Sequence, residues 1–343
     1  MIVLSLFDGM SATQQALKEL GVVVDRYYAS EIDNYAMQIT SKNFPDTIQL
    51  GNVQGVEIKH LALVPDLIVA GSPCQDLSRA GKGKGLAGER SGLFFEAIRI
   101  IKEAKAINPN VKVLIENVKM KQEHMDTMSN ALSEALGERV TPQLLNSRLV
   151  SAQNRQRLYW YNWETIEEPQ DRGIMLKDIL EDGYVDRDKS HCLDANYFKG
   201  GNLRSYFEKH RRQLVFSKDG LCHIGDADLS GNQTIKRVYH AEGKAPTLTT
   251  MGGGHREPKV YTGDMKFRKL TPLECTRLQT FPDGYCDGVS NTQAYKMLGN
   301  SFTVEMVKCI LSPIVEELED GESDVNNAYG YHNATIDPRN IEE

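Results

Sequence analysis

Blocks of apolar residues alternate with amphipathic stretches along about the first 165 residues. Ile2–Phe7 (IVLSLF) reads as a buried strand, followed by Asp8-Gly9-Met10-Ser11, a turn with capping residues. Ala12–Leu20 has helical spacing and stops at Gly21, a residue favoured just past a helix end. Tyr27–Ile32 predicts a second strand and Tyr35–Asn43 a second helix. Asp66–Ala70 (DLIVA) is a further short strand, and Leu93–Ala106 is helical by its i, i+3, i+4 apolar spacing. Val111–Ile115 and Leu158–Trp163 complete the strand set. Strands alternating with helices in this way predict an α/β fold, a mostly parallel sheet with helices on both faces.

The rhythm breaks past about residue 168. Residues 170–265 carry many Gly, Asp, Asn and His and few long periodic runs, which predicts a separate lobe of short strands and loops. Helical pattern returns at Thr271–Gln279 and Thr303–Leu311, and the acidic tail from Glu316 to Glu343 is expected to fray beyond about Asp320. With 40% hydrophobic and 25% charged residues, the 343-residue chain is neither collagen-like nor broadly disordered. The N-terminus lacks the basic region of a signal peptide, and no apolar run approaches membrane-spanning length. The six cysteines show neither CxxC pairs nor metal-ligand spacing, so reduced thiols in a cytoplasm and no metal are expected. A net charge of −7 at first argues against nucleic acid, whose binding rests on Lys and Arg.

Four short motifs follow predicted strands or lead into them. Phe7-Asp8-Gly9-Met10-Ser11 lies between the first strand and a helix N-terminus, where doubly wound sheets bind ligands. Glu31 follows 22 residues after Gly9, a separation that suits an acceptor for ribose hydroxyls. A single glycine is not GxGxxG, so a nucleoside cofactor without a diphosphate fits better than a dinucleotide. An ordinary turn with a surface Glu explains the pattern equally well. Gly71-Ser72-Pro73-Cys74-Gln75 would present Cys74 at the same rim, as a nucleophile or as a small buried hydrophobe. Asp76–Gly92 holds five glycines with Arg79, Lys82, Lys84 and Arg90, either a basic loop able to close over an anion or a plain surface loop. Glu116-Asn117-Val118 offers a carboxyl to a ring nitrogen, or simply caps a strand end. Gln153, Arg155 and Arg157 share one face if extended, aiming two guanidiniums together; surface salt bridges are the alternative.

The order of these motifs, ending in Leu298-Gly299-Asn300-Ser301, resembles the cytosine-C5 DNA methyltransferase family over nearly all of residues 1–315. The FDGMS form of the first motif is similar to phage and animal de novo members. The resemblance implies a Rossmann-like domain that uses S-adenosyl-L-methionine (residues 1–168, completed by 290–318). It also implies a target-recognition domain (169–289), followed here by the acidic tail (319–343). Phe7 would stack on adenine and Glu31 hold the ribose; Asp8, Gly9, Met10, Ser11, Ile32, Asn52, Val53, Pro73, Asn300 and Ser301 would complete the cofactor site. Asn52 stands where the family often has Asp; its amide oxygen can still meet an exocyclic amine. Cys74 would attack carbon 6 of a flipped-out cytosine, Glu116 would meet N3, and Arg157 with Arg155 would fix the O2 edge or a nearby phosphate. Arg268–Tyr285 resembles the family's ninth motif, and Thr247-Leu248 its recognition-region pair. The implied enzyme is a monomer acting on double-stranded DNA, of restriction–modification type, in the cytoplasm of a bacterium or phage-infected cell.

Charge by region then changes the picture. Lys199–Lys269 carries 14 Lys and Arg against 7 Asp and Glu, a local +7, whereas Glu316–Glu343 carries −8. Lys209, Arg211, Arg212, Lys236, Arg237, Arg256, Lys266, Arg268 and Lys269 are candidate phosphate contacts, and Gly252-Gly253-Gly254 either enters a groove or is a solvated loop. Two other readings remain at this stage: an RNA cytosine-C5 methyltransferase, and a non-catalytic DNA-binding regulator.

Overall fold

The computed structural model describes residues 1–72, 89–216, 225–226, 237–239, 259–260 and 267–328. Pro73, Cys74, the glycine-rich segment up to Gly88, Thr247-Leu248 and Gly252–Gly254 lie outside the described residues. Seven strands form the main sheet: β1 (Ile2–Leu6), β2 (Arg26–Ser30), β3 (Ile48–Gln49), β4 (Leu67–Ala70), β5 (Lys112–Val118), β6 (Gln143–Asn146) and β7 (Gln156–Tyr161). Their order is β3-β2-β1-β4-β5-β7-β6. Neighbours from β3 to β5 are parallel, and β7 runs antiparallel to β5 and β6.

The sheet is apolar on both faces, as helices on both sides require. Val3, Ala29, Leu67, Val69 and Leu114 pack with α1 (Ala12–Glu19) and with Leu298, Val307 and Ile310 from the C-terminal part. Leu4, Leu6, Ile68, Ala70, Val113 and Ile115 face the other way, onto α3 (Glu89–Ile107) and α4 (Gln122–Leu136). Alternation within each strand therefore assigns residues to two cores. Helix α2 (Asn34–Asn43), whose Ala36 and Ile39 join the first core, is capped by Asp33, whose carboxylate accepts from the N–H groups of Tyr35 and Ala36. The chain end supplies α6 (Pro272–Leu278), α7 (Asn291–Asn300) and α8 (Val304–Ala328), after the short α5 (Leu203–Lys209). A Thr271–Glu274 capping box with proline in the first turn starts α6.

Several boundaries differ from the sequence expectation. β7 ends at Tyr161 because the Asn162 side chain accepts from Val113 N and donates to Val111 O, replacing strand pairing. Helix α8 runs past Asp320 to Ala328, anchored at its start by buried Val307, Ile310, Leu311 and Ile314. Residues 176–197 and 270–286 bury Leu176, Leu193, Tyr197, Leu270, Cys275 and Tyr285 in the same core as Val3. Tyr206, Leu214 and Phe216 form a small cluster of their own. Short strands at Gly225–Asp226, Arg237–Tyr239 and Lys259–Val260 make a second sheet.

Candidate active site

Strand order reverses between β1 and β4, and ligands of such sheets bind at that switch point, beyond the strand carboxyl ends. A cavity of about 530 Å³ lies there. Phe7, Asp8, Gly9, Glu31, Ile32, Asn52 and Val53 line one end, Gly71, Ser72, Glu116, Asn117 and Arg157 the other, and Arg155, Asn300, Ser301 and Phe302 also border it. Among the described residues, those selected from the sequence thus meet in one space, with two exceptions. Met10 is buried in the core beside the Cys286 sulfur, its carbonyl taken by Tyr285, and Ser11 is fully buried. Both shape the first turn instead of lining the cavity.

That turn is conformationally costly. Phe7 and Ser11 take left-handed φ angles of 58° and 60°, unusual for residues with a side chain, alongside Gly9 at 61°. Bonds from Asp8 N to Ser30 O (3.1 Å) and from Ser11 N to Asp8 O (3.2 Å) hold it. The Asp8 carboxylate accepts from Tyr27 Oη (2.8 Å) and from Ser11 Oγ. Burial pushes the Asp8 carboxyl up to about 6, against the lowering effect of these hydroxyl donors.

The geometry of Glu31 bears on what the cavity can hold. Its Oε2 accepts from Gly9 N (2.8 Å), and its Oε1 accepts from Ile32 N and Asp33 N (2.7 and 2.8 Å). A carboxylate has about four lone-pair positions, so one remains for a hydroxyl of the ligand. The Gly9 N–H, which a diphosphate-binding turn would aim at an oxyanion, is spent on Glu31. Asp8 and Glu31 on this rim oppose a phosphate and suit a ligand with a ribose and a positive charge, whereas Asp33 is paired with Lys296. Ile32, 72% exposed, offers an apolar surface beside them. Asn52 Oδ1 accepts from Gln54 N (3.1 Å), which uses one lone pair and leaves one. These residues could hold S-adenosylmethionine, with the apolar surfaces of Phe7 and Ile32 open to an adenine and the Glu31 carboxylate to a ribose hydroxyl.

At the other end, sheet register makes the key pair. Glu116 lies opposite Tyr159 and Val118 opposite Arg157, so Glu116 and Arg157 are diagonal neighbours on one face. Arg157 Nε donates to Glu116 Oε1 at 2.8 Å. Asn117 projects to the opposite side, where its Nδ2 donates to Ser72 Oγ (3.1 Å) and ties β5 to the residue that precedes Pro73-Cys74 in sequence. Arg155 is used differently. It is 2% exposed and donates to Ser301 O (2.7 Å), Leu193 O (3.0 Å) and Gly299 O (3.4 and 3.5 Å). The two guanidiniums lie near each other, both reaching Cys192, but their partners differ: Arg155 precedes β7 and clamps the returning chain, and Arg157 pairs with Glu116.

Sequence reasoning missed three contributors. Lys296 on α7 donates to Asp33 Oδ2 at 2.5 Å and joins the returning chain to the Glu31 loop. Cys192 Sγ lies 3.5 Å from Arg155 and 3.8 Å from Arg157; burial opposes ionisation of this thiol, but the two guanidiniums prevail and hold its pKa below the usual range. Phe302 packs against Gly71. The Asn300-Ser301 motif pointed to this stretch, whereas a lone cysteine in an irregular segment gave no signal. Among the described residues no cluster could hold a metal ion, and no helix is long and apolar enough to cross a membrane.

The family model described as C-5 cytosine-specific DNA methylase matches residues 1–316. Type II methyltransferase M.HpaII of Haemophilus parainfluenzae is 30% identical, with 92% of this chain and 89% of that protein covered. Orphan methyltransferase M.SPBetaI of Bacillus phage SPbeta is 27% identical over 94% of this chain and 99% of its own length. Among solved structures, methyltransferase EhMeth of Entamoeba histolytica has a TM-score of 0.65 at 15% identity, covering 93% of this chain and 98% of its own, which shows a shared fold. The chain belongs to the C-5 cytosine-specific DNA methylase family, enzymes that use S-adenosylmethionine as methyl donor.

Proposed function

We propose that this enzyme methylates carbon 5 of a flipped-out cytosine in duplex DNA through a covalent Cys74 intermediate. One cavity with a nucleoside-type rim at Glu31 and a Glu116–Arg157 pair at its far end carries this reading. Bound at the Phe7–Glu31–Asn52 end, S-adenosylmethionine supplies an electrophilic methyl group on a sulfonium. Carbon 5 of an aromatic cytosine is too weak a nucleophile to accept it. Addition of the Cys74 thiolate to carbon 6 breaks the aromaticity and makes carbon 5 enamine-like. Glu116 in its protonated form donates to N3, where negative charge develops, and Arg157 holds that carboxyl in place and faces the O2 edge. Arg155 acts as a positioning residue, fixing the Gly299–Ser301 backbone. Removal of the carbon-5 proton then expels Cys74 and restores the ring. The cytosine leaves the base stack to reach this site, at a cost of a few kcal/mol. Residues 169–289 are proposed as the DNA-reading lobe.

Duplex DNA carrying 5-fluorocytosine tests the covalent step, because fluorine cannot leave as a proton does. The unaltered enzyme should form a denaturation-resistant adduct, and Cys74→Ala should form none. An adduct undiminished in Cys74→Ala would remove Cys74 from the mechanism.

A further inference from the structure

Gly71 follows β4 at the cavity, and a Cβ placed there would stand 2.8 Å from both Cε1 and Cζ of Phe302. Glu116 Oε2 is 4.0 Å from the same point. The Phe302 ring thus lies near Glu116 on the cavity wall, next in sequence to Asn300 and Ser301, which border the same cavity. The backbone on either side is clamped. Ser301 O accepts from Arg155 Nη2 (2.7 Å) and Gln279 Nε2 (3.3 Å), Thr303 Oγ1 donates to Gln279 Oε1 (3.0 Å), and Val304 N donates to Gln279 O (3.0 Å). Gln279 is itself fully buried. With the backbone so fixed, the ring can yield to a larger ligand only by turning its own side chain.

Building on the proposed methyl transfer, we propose that Phe302 is a size gate: its ring limits the group that can be carried between sulfonium and carbon 5. In the gated step a bond forms between carbon 5 and the transferred carbon, using the enamine electron pair. The sulfur–carbon bond breaks with its pair left on sulfur, giving a neutral thioether, and carbon 5 later loses its proton to water. A bulkier group must fit where the ring now stands.

The test compares S-adenosylmethionine with its S-allyl analogue on the full chain and duplex DNA. Phe302→Val should raise the ratio of allyl to methyl transfer by about tenfold or more, the scale on which pockets discriminate by size. Calorimetric titration without DNA should show the same variant improving allyl-donor affinity relative to the methyl donor. Gly71→Ala should act oppositely, pushing the ring inward, sharpening preference for methyl and lowering the denaturation midpoint; Phe302→Val in that background should restore the midpoint. Unchanged transfer and affinity ratios in Phe302→Val, or full stability of Gly71→Ala, would overturn the gate. Absence of methyl transfer by the unaltered enzyme would overturn the functional reading beneath it.

Discussion

Glu116 and Arg157 form the smallest unit that carries the account. Electrostatic groups aimed at developing charge lose about 100- to 1,000-fold in rate when removed. Glu116→Gln should therefore lower single-turnover methylation by about that factor while calorimetry finds cofactor affinity within about threefold of wild type. An Arg157→Lys variant keeps the charge but not the planar fork, and should lose rate without gaining DNA dependence on salt. Asp8 makes a pH-dependent contribution. Its folded-state pKa, about 6, lies above the ordinary carboxylate value of 3.8, so the folded state binds this proton more tightly. That stabilisation is complete below about pH 4 and is lost as pH rises through 6. Asp8→Asn removes the titration, so its stability relative to wild type should improve by roughly 1 kcal/mol from pH 5 to pH 7.5. Urea denaturation at both values checks it; a difference independent of pH would refute the shifted carboxyl.

At the scale of elements, the last turn of α7 is pressed against the segment that follows Cys192. A Cβ at Gly299 would meet backbone atoms of Asp194 and Ala195 at 2.3–2.4 Å, and backbone cannot step aside as a side chain can. Gly299→Ala should cost roughly 1–3 kcal/mol by denaturation and weaken cofactor binding in the same titration. Arg155→Ala would remove the guanidinium donors of the Leu193, Gly299 and Ser301 carbonyls and is expected to cost about as much. The contrast between Arg155 and Arg157 shows what was legible in the sequence. Strand–turn–helix units at Phe7–Ser11 and Glu31 were readable because apolar period and local turn chemistry are short-range. The Glu116–Arg157 diagonal depends on antiparallel register between β5 and β7, which residues 116 and 157 do not encode locally. Lys296–Asp33 joins positions 263 residues apart, and the Phe302–Gly71 contact likewise exists only once the chain returns.

At the scale of the whole molecule, the acidic total of −7 hides a +7 stretch, but not every cation there is available for DNA. Arg268 is bound to Asp182 and to the fully buried Glu274, and Lys269 donates to Phe198 O (2.9 Å), so each has fewer donors left for a phosphate. Arg211 pairs with Asp194 at 3.0 Å. Lys209 remains an exposed candidate among the described residues. Even three phosphate contacts would make DNA affinity fall by at least about tenfold between 50 and 200 mM salt, measurable by fluorescence anisotropy; a flat salt profile would contradict a basic DNA-reading lobe. The most direct measurement is mass spectrometry of nucleosides from duplex DNA and from transfer RNA, each incubated with enzyme and S-adenosylmethionine. The account predicts 5-methyldeoxycytidine from the duplex and no methylated product from the RNA. N4-methyldeoxycytidine or N6-methyldeoxyadenosine, or methylation confined to RNA, would contradict it.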